Sequence, residues 1–202
     1  MEIVQIRDEG IYTPIVEYRK DHHRVVCIGL MHVGECENFA ALQVRINNLP
    51  FGFYEHNAVS ANPKLLNKRR SRLLSIVRHH ELNKWRIQAG YTGLVFEEDV
   101  LDVPNYWESI DMTCEEFYSD KSTNALRKVI RGGIKKNTAK ELAYQKDPLL
   151  ATKYLFDGGK PNDVKKQALH VTRDNRLINA IENTLQAGYP TVGVAYGSVH
   201  LL

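Results

Sequence analysis

The chain has 202 residues, of which 43% are hydrophobic and 25% charged, which is ordinary globular usage and not that of a disordered, collagen-like or disulfide-scaffold chain. Its 27 Lys and Arg against 24 Asp and Glu leave +3, a surplus too small to imply a polyanionic partner without a local patch. A mean hydropathy of -0.38 and the lack of any run of about 18 apolar residues exclude a membrane-spanning helix.

The first nine residues are charged and lack an apolar stretch, so no secretory signal is expected. Cys27, Cys36 and Cys114 form no C-x-x-C pair, which speaks against a disulfide framework or a zinc-thiolate site and for a reducing, cytoplasmic setting. Glu2 to Ile6 and Ile11 to Tyr18 read as strands, with a turn at Asp21-His22-His23-Arg24, giving an antiparallel opening hairpin. Val25 to Met31 is apolar on consecutive positions, as in a strand covered on both faces, and it exits at His32. Phe39, Leu42, Ile46 and Leu49 then fall at helical spacing, before a second strand, Phe51 to Tyr54, that exits at Glu55.

A long helix is predicted over 63–88, with Lys64, Lys68, Arg69, Arg70, Arg72, Arg78, Lys84 and Arg86 against one acid, Glu81. A third strand, Gly93 to Phe96, runs into Glu97-Glu98-Asp99, and a loop with Pro104 and Trp107 leads to Asp111 and a capped turn at Thr113-Cys114-Glu115-Glu116. Residues 121–160 are poorly periodic, and Gly132-Gly133 and Gly158-Gly159 read as breaks between short helices and loops. A helix over 162–186, stopped by Gly188 and Pro190, precedes a last strand, Thr191 to Tyr196, that ends in Gly197-Ser198-Val199-His200. This order predicts a single α/β domain over 1–202, with a central mixed β-sheet, helices on both faces and an α-rich insertion at about 100–165.

Two strands thus end in one spacing, Gly29-Leu30-Met31-His32 and Gly197-Ser198-Val199-His200, and a third ends in Glu55. Ligands of open α/β sheets sit at the carboxyl ends of strands, and the missing side chains of Gly29 and Gly197 let backbone or ligand approach closely. His32, His200 and Glu55 suffice for a divalent transition metal, Mn, Co or Zn, with positions left for water or substrate. Such a metal makes its bound water a hydrolytic nucleophile, with Glu55 as ligand or as general base. Arg173 and Arg176 share a helix face and are candidates to orient Glu55 or a substrate carboxylate and to steady a developing anion, with Arg173 preferred. Glu97, Glu98 and Asp111 are further candidates for an oxygen ligand or a general base. The adjacent pairs His22-His23 and His79-His80 point apart and do not chelate alone, and Cys27, inside an apolar strand, reads as packing.

On these residues the chain resembles the TraB/TIKI family, grouped with the erythromycin esterase and ChaN-like superfamily. The resemblance lies in Val25 to Gly34, Phe51 to His56, Thr172 to Ile181 with Arg173-Asp174-Asn175-Arg176, and Val192 to Leu201. It implies a sheet with both histidines and the glutamate at one pole, and metal-dependent hydrolysis of a peptide or an ester in a peptide or small-molecule substrate. Many members are secreted or membrane-anchored, so their extracellular substrates are not carried over to a chain read as cytoplasmic. Two rivals keep the same scaffold: a non-catalytic metal- or haem-binding protein, and a basic interaction module using Lys64 to Arg86. For the basic helix a solvated face is the simpler reading, so nucleic acid is not expected, and an acidic substrate or a second copy of the chain in a homo-oligomer would suit it as well as RNA.

Overall fold

The computed structural model describes residues 5–7, 10–56, 58–59, 67–156 and 164–197, and its elements follow in chain order. They are β1 (Gln5–Arg7), β2 (Gly10–Tyr12), β3 (Ile15–Lys20), β4 (His23–Leu30), β5 (Val33–Gly34), α1 (Cys36–Asn47), β6 (Gly52–Tyr54) and α2 (Lys68–Thr92). Then come β7 (Val95–Phe96), β8 (Glu108–Ser109), α3 (Cys114–Phe117), α4 (Thr123–Lys146), α5 (Leu149–Phe156), α6 (Val164–Gln186) and β9 (Thr191–Gly197). No helix among the described residues is long and apolar enough to cross a membrane.

The fold is mixed α/β, and the chain divides into two compact units. Met1–His56, Val95–Asp111 and Lys160–Leu202 form a sheet unit; Asn57–Leu94 and Met112–Gly159 form a helical unit. The α-rich insertion expected at about 100–165 is therefore discontinuous and starts earlier, because 95–111 carries β7, β8 and Trp107 back to the sheet unit.

The central sheet has the order β3-β4-β9-β6-β8. β3 runs antiparallel to β4, whereas β4-β9, β9-β6 and β6-β8 are parallel, so the sheet is mixed and the last strand of the chain sits between the first and second parallel ones. Side chains alternate between faces along a strand, and each face has its own core. Val26 and Ile28 of β4 pack with Phe39, Leu42 and Ile46 of α1 and with Trp107. Cys27 turns the other way, to Phe53, Val192, Val194, Tyr196 and Leu177 of α6. Helices thus cover both faces. Burial pushes the Cys27 thiol up to about 11, consistent with packing and not with nucleophilic use.

The sheet departs from the sequence reading at three places. The stretch Ile11 to Tyr18 is broken at Thr13-Pro14, where Pro14 offers its carbonyl to the Gly29 N–H at 2.9 Å. The strand before Glu97 does not join the central sheet; β7 pairs antiparallel with β5. The edge position is taken by β8, whose two residues are exposed and carry no apolar signal. Trp107, just before β8, supplies the reason. A Cβ on Gly52 would come to 2.7 Å from its indole, and one on Gly193 to 2.6 Å, so two glycines on neighbouring strands make the slot that seats the ring and fixes the edge.

In the helical unit, α2 starts at Asn67, whose side chain accepts from the Arg69 N–H, and stops at Gly93 with φ 70, the left-handed conformation that glycine adopts at no steric cost. α3 bears the expected capping box, with Thr113 Oγ1 accepting from Glu116 N–H at 3.2 Å and the Glu116 carboxylate accepting from Thr113 N–H at 2.8 Å. Leu74, Val77, Cys114 and Leu126 are the core. Gln88, wholly buried, donates to the Ala151 carbonyl at 2.8 Å and ties α2 to α5. The expectation that Gly132-Gly133 breaks the chain is corrected: α4 runs unbroken through both. Packing on α2 outweighs their low helix propensity, with Gly133 lying against His80 and Asn137 Nδ2 donating to the His80 carbonyl at 3.0 Å.

Candidate functional site

The sheet topology decides where the candidate side chains meet. In the β4-β9 register Gly29 faces Tyr196 and Leu30 faces Gly197, and in the β6-β9 register Tyr54 faces Ala195, so three parallel strands end level at one pole. His32 leaves β4 there, Glu55 leaves β6, and Gly197 closes β9 between them. His200 lies outside the described residues. Gly29 serves packing, because a Cβ on it would come to 3.1 Å from Pro14.

Two charged clusters occupy this pole. In the first, His32 Nδ1 lies 2.6 Å from Glu97 Oε1, a pairing set up by the backbone, since β5 follows His32, β7 precedes Glu97, and the Glu97 N–H donates to the His32 carbonyl at 3.0 Å. Burial pushes the Glu97 carboxyl above its usual range against the pull of His32. The remaining oxygen, Oε2, is buried and has no hydrogen-bond partner among the described residues, so the His32 ring is the one polar side chain that engages this carboxyl there.

The second cluster is built around Arg173 of α6. Its Nε donates to Asp111 Oδ1 at 2.6 Å, and its Nη2 donates both to Asp111 Oδ2 at 2.9 Å and to Glu55 Oε1 at 2.5 Å. Glu55 Oε2 accepts from the Gly197 N–H at 2.6 Å. Burial would raise the Glu55 carboxyl, but the charges of Arg173 and His32, with the Gly197 N–H, overcome it and hold Glu55 below the usual carboxylate range. The Arg173 guanidinium, shifted down by burial and up by Glu55 and Asp111, ends above its ordinary value, and it lies 5.7 Å from the Tyr196 ring. Of the three roles expected for Arg173, orienting Glu55 is the one its donors perform. Arg176, three residues on, lines a different hollow beside Asn175, Asn179 and Asn183.

The clusters border a cavity of about 260 Å³ lined by Leu30, Tyr54, Glu55, His56, Glu97, Glu98, Leu101 and Val103. One wall is apolar and the other carboxylate-rich, an arrangement that holds a small organic group against ionisable ones. The Glu55 and Glu97 carboxyls are shifted in opposite directions, Glu55 down by its cation and Glu97 up by burial, so the two like groups sit in electrostatically different surroundings.

A resident metal needs at least three converging donors. Among the described residues no group of three His, Cys, Asp or Glu side chains has that arrangement. The reason is chemical: both Glu55 oxygens are held by Arg173 and Gly197, and Glu97 turns to the His32 ring. These residues alone therefore do not fit a metal.

Sequence reasoning placed His32, Glu55, Glu97, Asp111 and Arg173 among its candidates and offered Arg173 to Glu55, but it did not pair His32 with Glu97 or Arg173 with Asp111. The Leu101 and Val103 wall was missed, although an apolar pair ahead of Pro104 and close after an acidic strand exit was there to be read. The chain matches no protein-family model, no curated protein and no solved structure.

Proposed function

We propose that this protein is a hydrolase that activates water at His32, acting on a peptide or an ester in a substrate small enough for its end to enter the cavity beside Glu55 and Glu97. The observation that carries this reading is the 2.6 Å pairing of His32 Nδ1 with Oε1 of Glu97, a residue that lines the cavity. A carboxylate on one ring nitrogen fixes the ring and its tautomer and leaves the base function to Nε2, which is how histidine is prepared as a general base and equally as a metal ligand. In the reaction, Nε2 takes a proton from water as the oxygen attacks the substrate carbonyl; Glu97 stabilises the imidazolium, and Nε2 returns the proton to the leaving group. Glu55, kept ionised and rigid by Arg173 and Gly197, orients the water or a donor on the substrate. Asp111 acts through Arg173 and is a positioning residue.

The resemblance to the TraB/TIKI family and the erythromycin esterase/ChaN-like superfamily supports this reading. A divalent metal, Mn, Co or Zn, enters it only through His200, which would have to add the donor that the described residues lack; no step above runs through one. The test is turnover of a panel of p-nitrophenyl esters and aminoacyl anilides, with and without each of these metals. His32→Ala should abolish turnover, Glu97→Gln should lower it by about 10²-fold or more, and Glu98→Gln should leave most of it. No turnover of any panel member under any metal condition, or full activity in His32→Ala, overturns the proposal. Metal-stimulated turnover that His200→Ala removes would assign the metal-dependent form.

A further inference from the structure

The net charge of +3 conceals a segregation. The helical unit carries 17 Lys and Arg against 7 Asp and Glu, +10, and the sheet unit carries 10 against 17, −7. Within the helical unit the cations of α2 are partly engaged in the fold: Arg70 donates to the Tyr118 and Lys121 carbonyls at 2.7 Å, and Lys84 pairs with Glu81. Those of α4 differ. Arg127, Lys128, Arg131, Lys135, Lys136, Lys140 and Lys146 stand against a single acid, Glu141. Lys128, Arg131, Lys135 and Lys136 are exposed, and among the described residues none has an acidic partner.

Gly132 gives this face a centre. Lys128 lies four residues before it, Lys135 and Lys136 three and four after, so all three border it on the helix surface. A glycine inside a helix weakens it and needs a reason. Gly133 has one inside the fold, since a Cβ there would meet His80 at 3.5 Å. At Gly132 a Cβ would meet nothing within 4 Å among the described residues. No internal packing asks for a bare backbone here. The cations also act on one another: Lys140 is lowered first by burial and then by the Lys84 and Lys136 charges, against the pull of Glu81.

We propose that the helical unit binds duplex DNA through this face of α4, with a backbone phosphate resting on the bare helix surface at Gly132 inside the ring of Lys128, Lys135 and Lys136. Point cations at helical spacing suit phosphates, which position a protein on a duplex without reading its sequence. No aromatic residue lies among Arg127, Lys128, Arg131, Gly132, Lys135 and Lys136, so the face lacks the stacking platform that single strands require. With Gly132 on one phosphate backbone, α4 lies along the rim of the major groove, which has room for a helix in B-form DNA, about 12 Å wide, and not in the narrow, deep groove of an A-form RNA duplex.

The experiment is fluorescence anisotropy of the full chain with a labelled mixed-sequence DNA duplex of about 20 base pairs and the matching RNA duplex, between about 50 and 200 mM salt. Wild type should bind the DNA more tightly than the RNA, with log affinity falling linearly in log salt. The triple variant Lys128→Gln, Lys135→Gln, Lys136→Gln should lower that slope by roughly 2.7, at about 0.9 for each phosphate contact removed. Gly132→Ala keeps every charge and favours the helix, yet should weaken DNA binding about fivefold or more. His32→Ala should bind as wild type does, so this result stands or falls apart from the hydrolase reading. Circular dichroism confirms that each variant is folded. No salt-sensitive DNA binding at the lowest salt, an unchanged slope in the folded triple variant, wild-type affinity in Gly132→Ala, or equal affinity for the RNA duplex overturns the proposal.

Discussion

The two units treat charge in opposite ways. In the sheet unit Arg173, Glu55 and Asp111 are largely buried, with side-chain exposures of 16%, 18% and 1%, and Nε and Nη2 of Arg173 both donate to these two carboxylates. In the helical unit Lys128, Arg131, Lys135 and Lys136 of α4 are exposed and have no acidic partner among the described residues. A buried charge is fixed by its counter-charges and defines a shape; an exposed one leaves the fold nearly indifferent and acts on what lies outside. Stability should therefore be sensitive to charge in the first unit and insensitive in the second, and function the reverse for a charged partner.

The largest test of this contrast is Arg173→Met. It leaves two buried carboxylates facing each other without a cation, and urea denaturation should show a loss of about 3–5 kcal/mol. Lys135→Met should stay within about 0.5 kcal/mol. Similar losses for the two substitutions would mean that the Arg173 cluster is not the structural charge centre its geometry describes.

Next in size, at about 1–3 kcal/mol, is Gly193→Ala, because the added methyl would meet the Trp107 indole inside a packed core. The same change at Gly90, where a Cβ meets nothing within 4 Å among the described residues, should be neutral or stabilising. A neutral Gly193→Ala would show that Trp107 has room to shift and that the β8 edge is not seated by the slot.

Much of the site was legible because strand exits are punctuated in sequence: an apolar run, then one polar residue, at His32, Glu55 and Glu97. What sequence leaves open is which candidates pair across distance, since it offered Arg173 to Glu55 and to a substrate carboxylate alike and did not join it to Asp111. Arg173 and Asp111 are 62 residues apart and Arg173 and Glu55 118, and only the placement of α6 on the sheet brings them together. β8 was illegible for another reason: it has no pattern of its own and exists because Trp107 is held over Gly52 and Gly193. Gly132-Gly133 misled because propensity is a local prior that packing against α2 overrides. The charge of the helical unit was hidden by summing over both units.

A smaller effect separates the two carboxylates of the site by pH. Glu55 is held below its ordinary value near 4.5, so its contribution to stability is complete above that value and is lost as pH falls through the lower folded one. Glu97 is held above the same value, so its contribution is complete below it and is lost as pH rises through the higher folded one. Denaturation of wild type against Glu97→Gln should thus give a difference that declines with rising pH above about 4.5, and against Glu55→Gln one that grows with rising pH below it. Parallel difference curves would mean that both carboxyls are shifted in one direction and that the two clusters do not differ in their electrostatics.

The smallest expected change joins the two halves of the comparison. Gly132 lies inside α4, where replacing glycine by alanine restores about 0.5–1 kcal/mol of helix stability. Nothing described near it resists a methyl group, so Gly132→Ala should raise the unfolding midpoint in urea by that amount with an unchanged slope. Gly133→Ala, with His80 at ordinary contact distance, should gain less. A gain at Gly132 accompanied by weaker DNA binding separates what the fold prefers at this position from what the surface does there. A destabilised Gly132→Ala would show that the bare backbone serves the fold, and would remove the reason to place a phosphate on it.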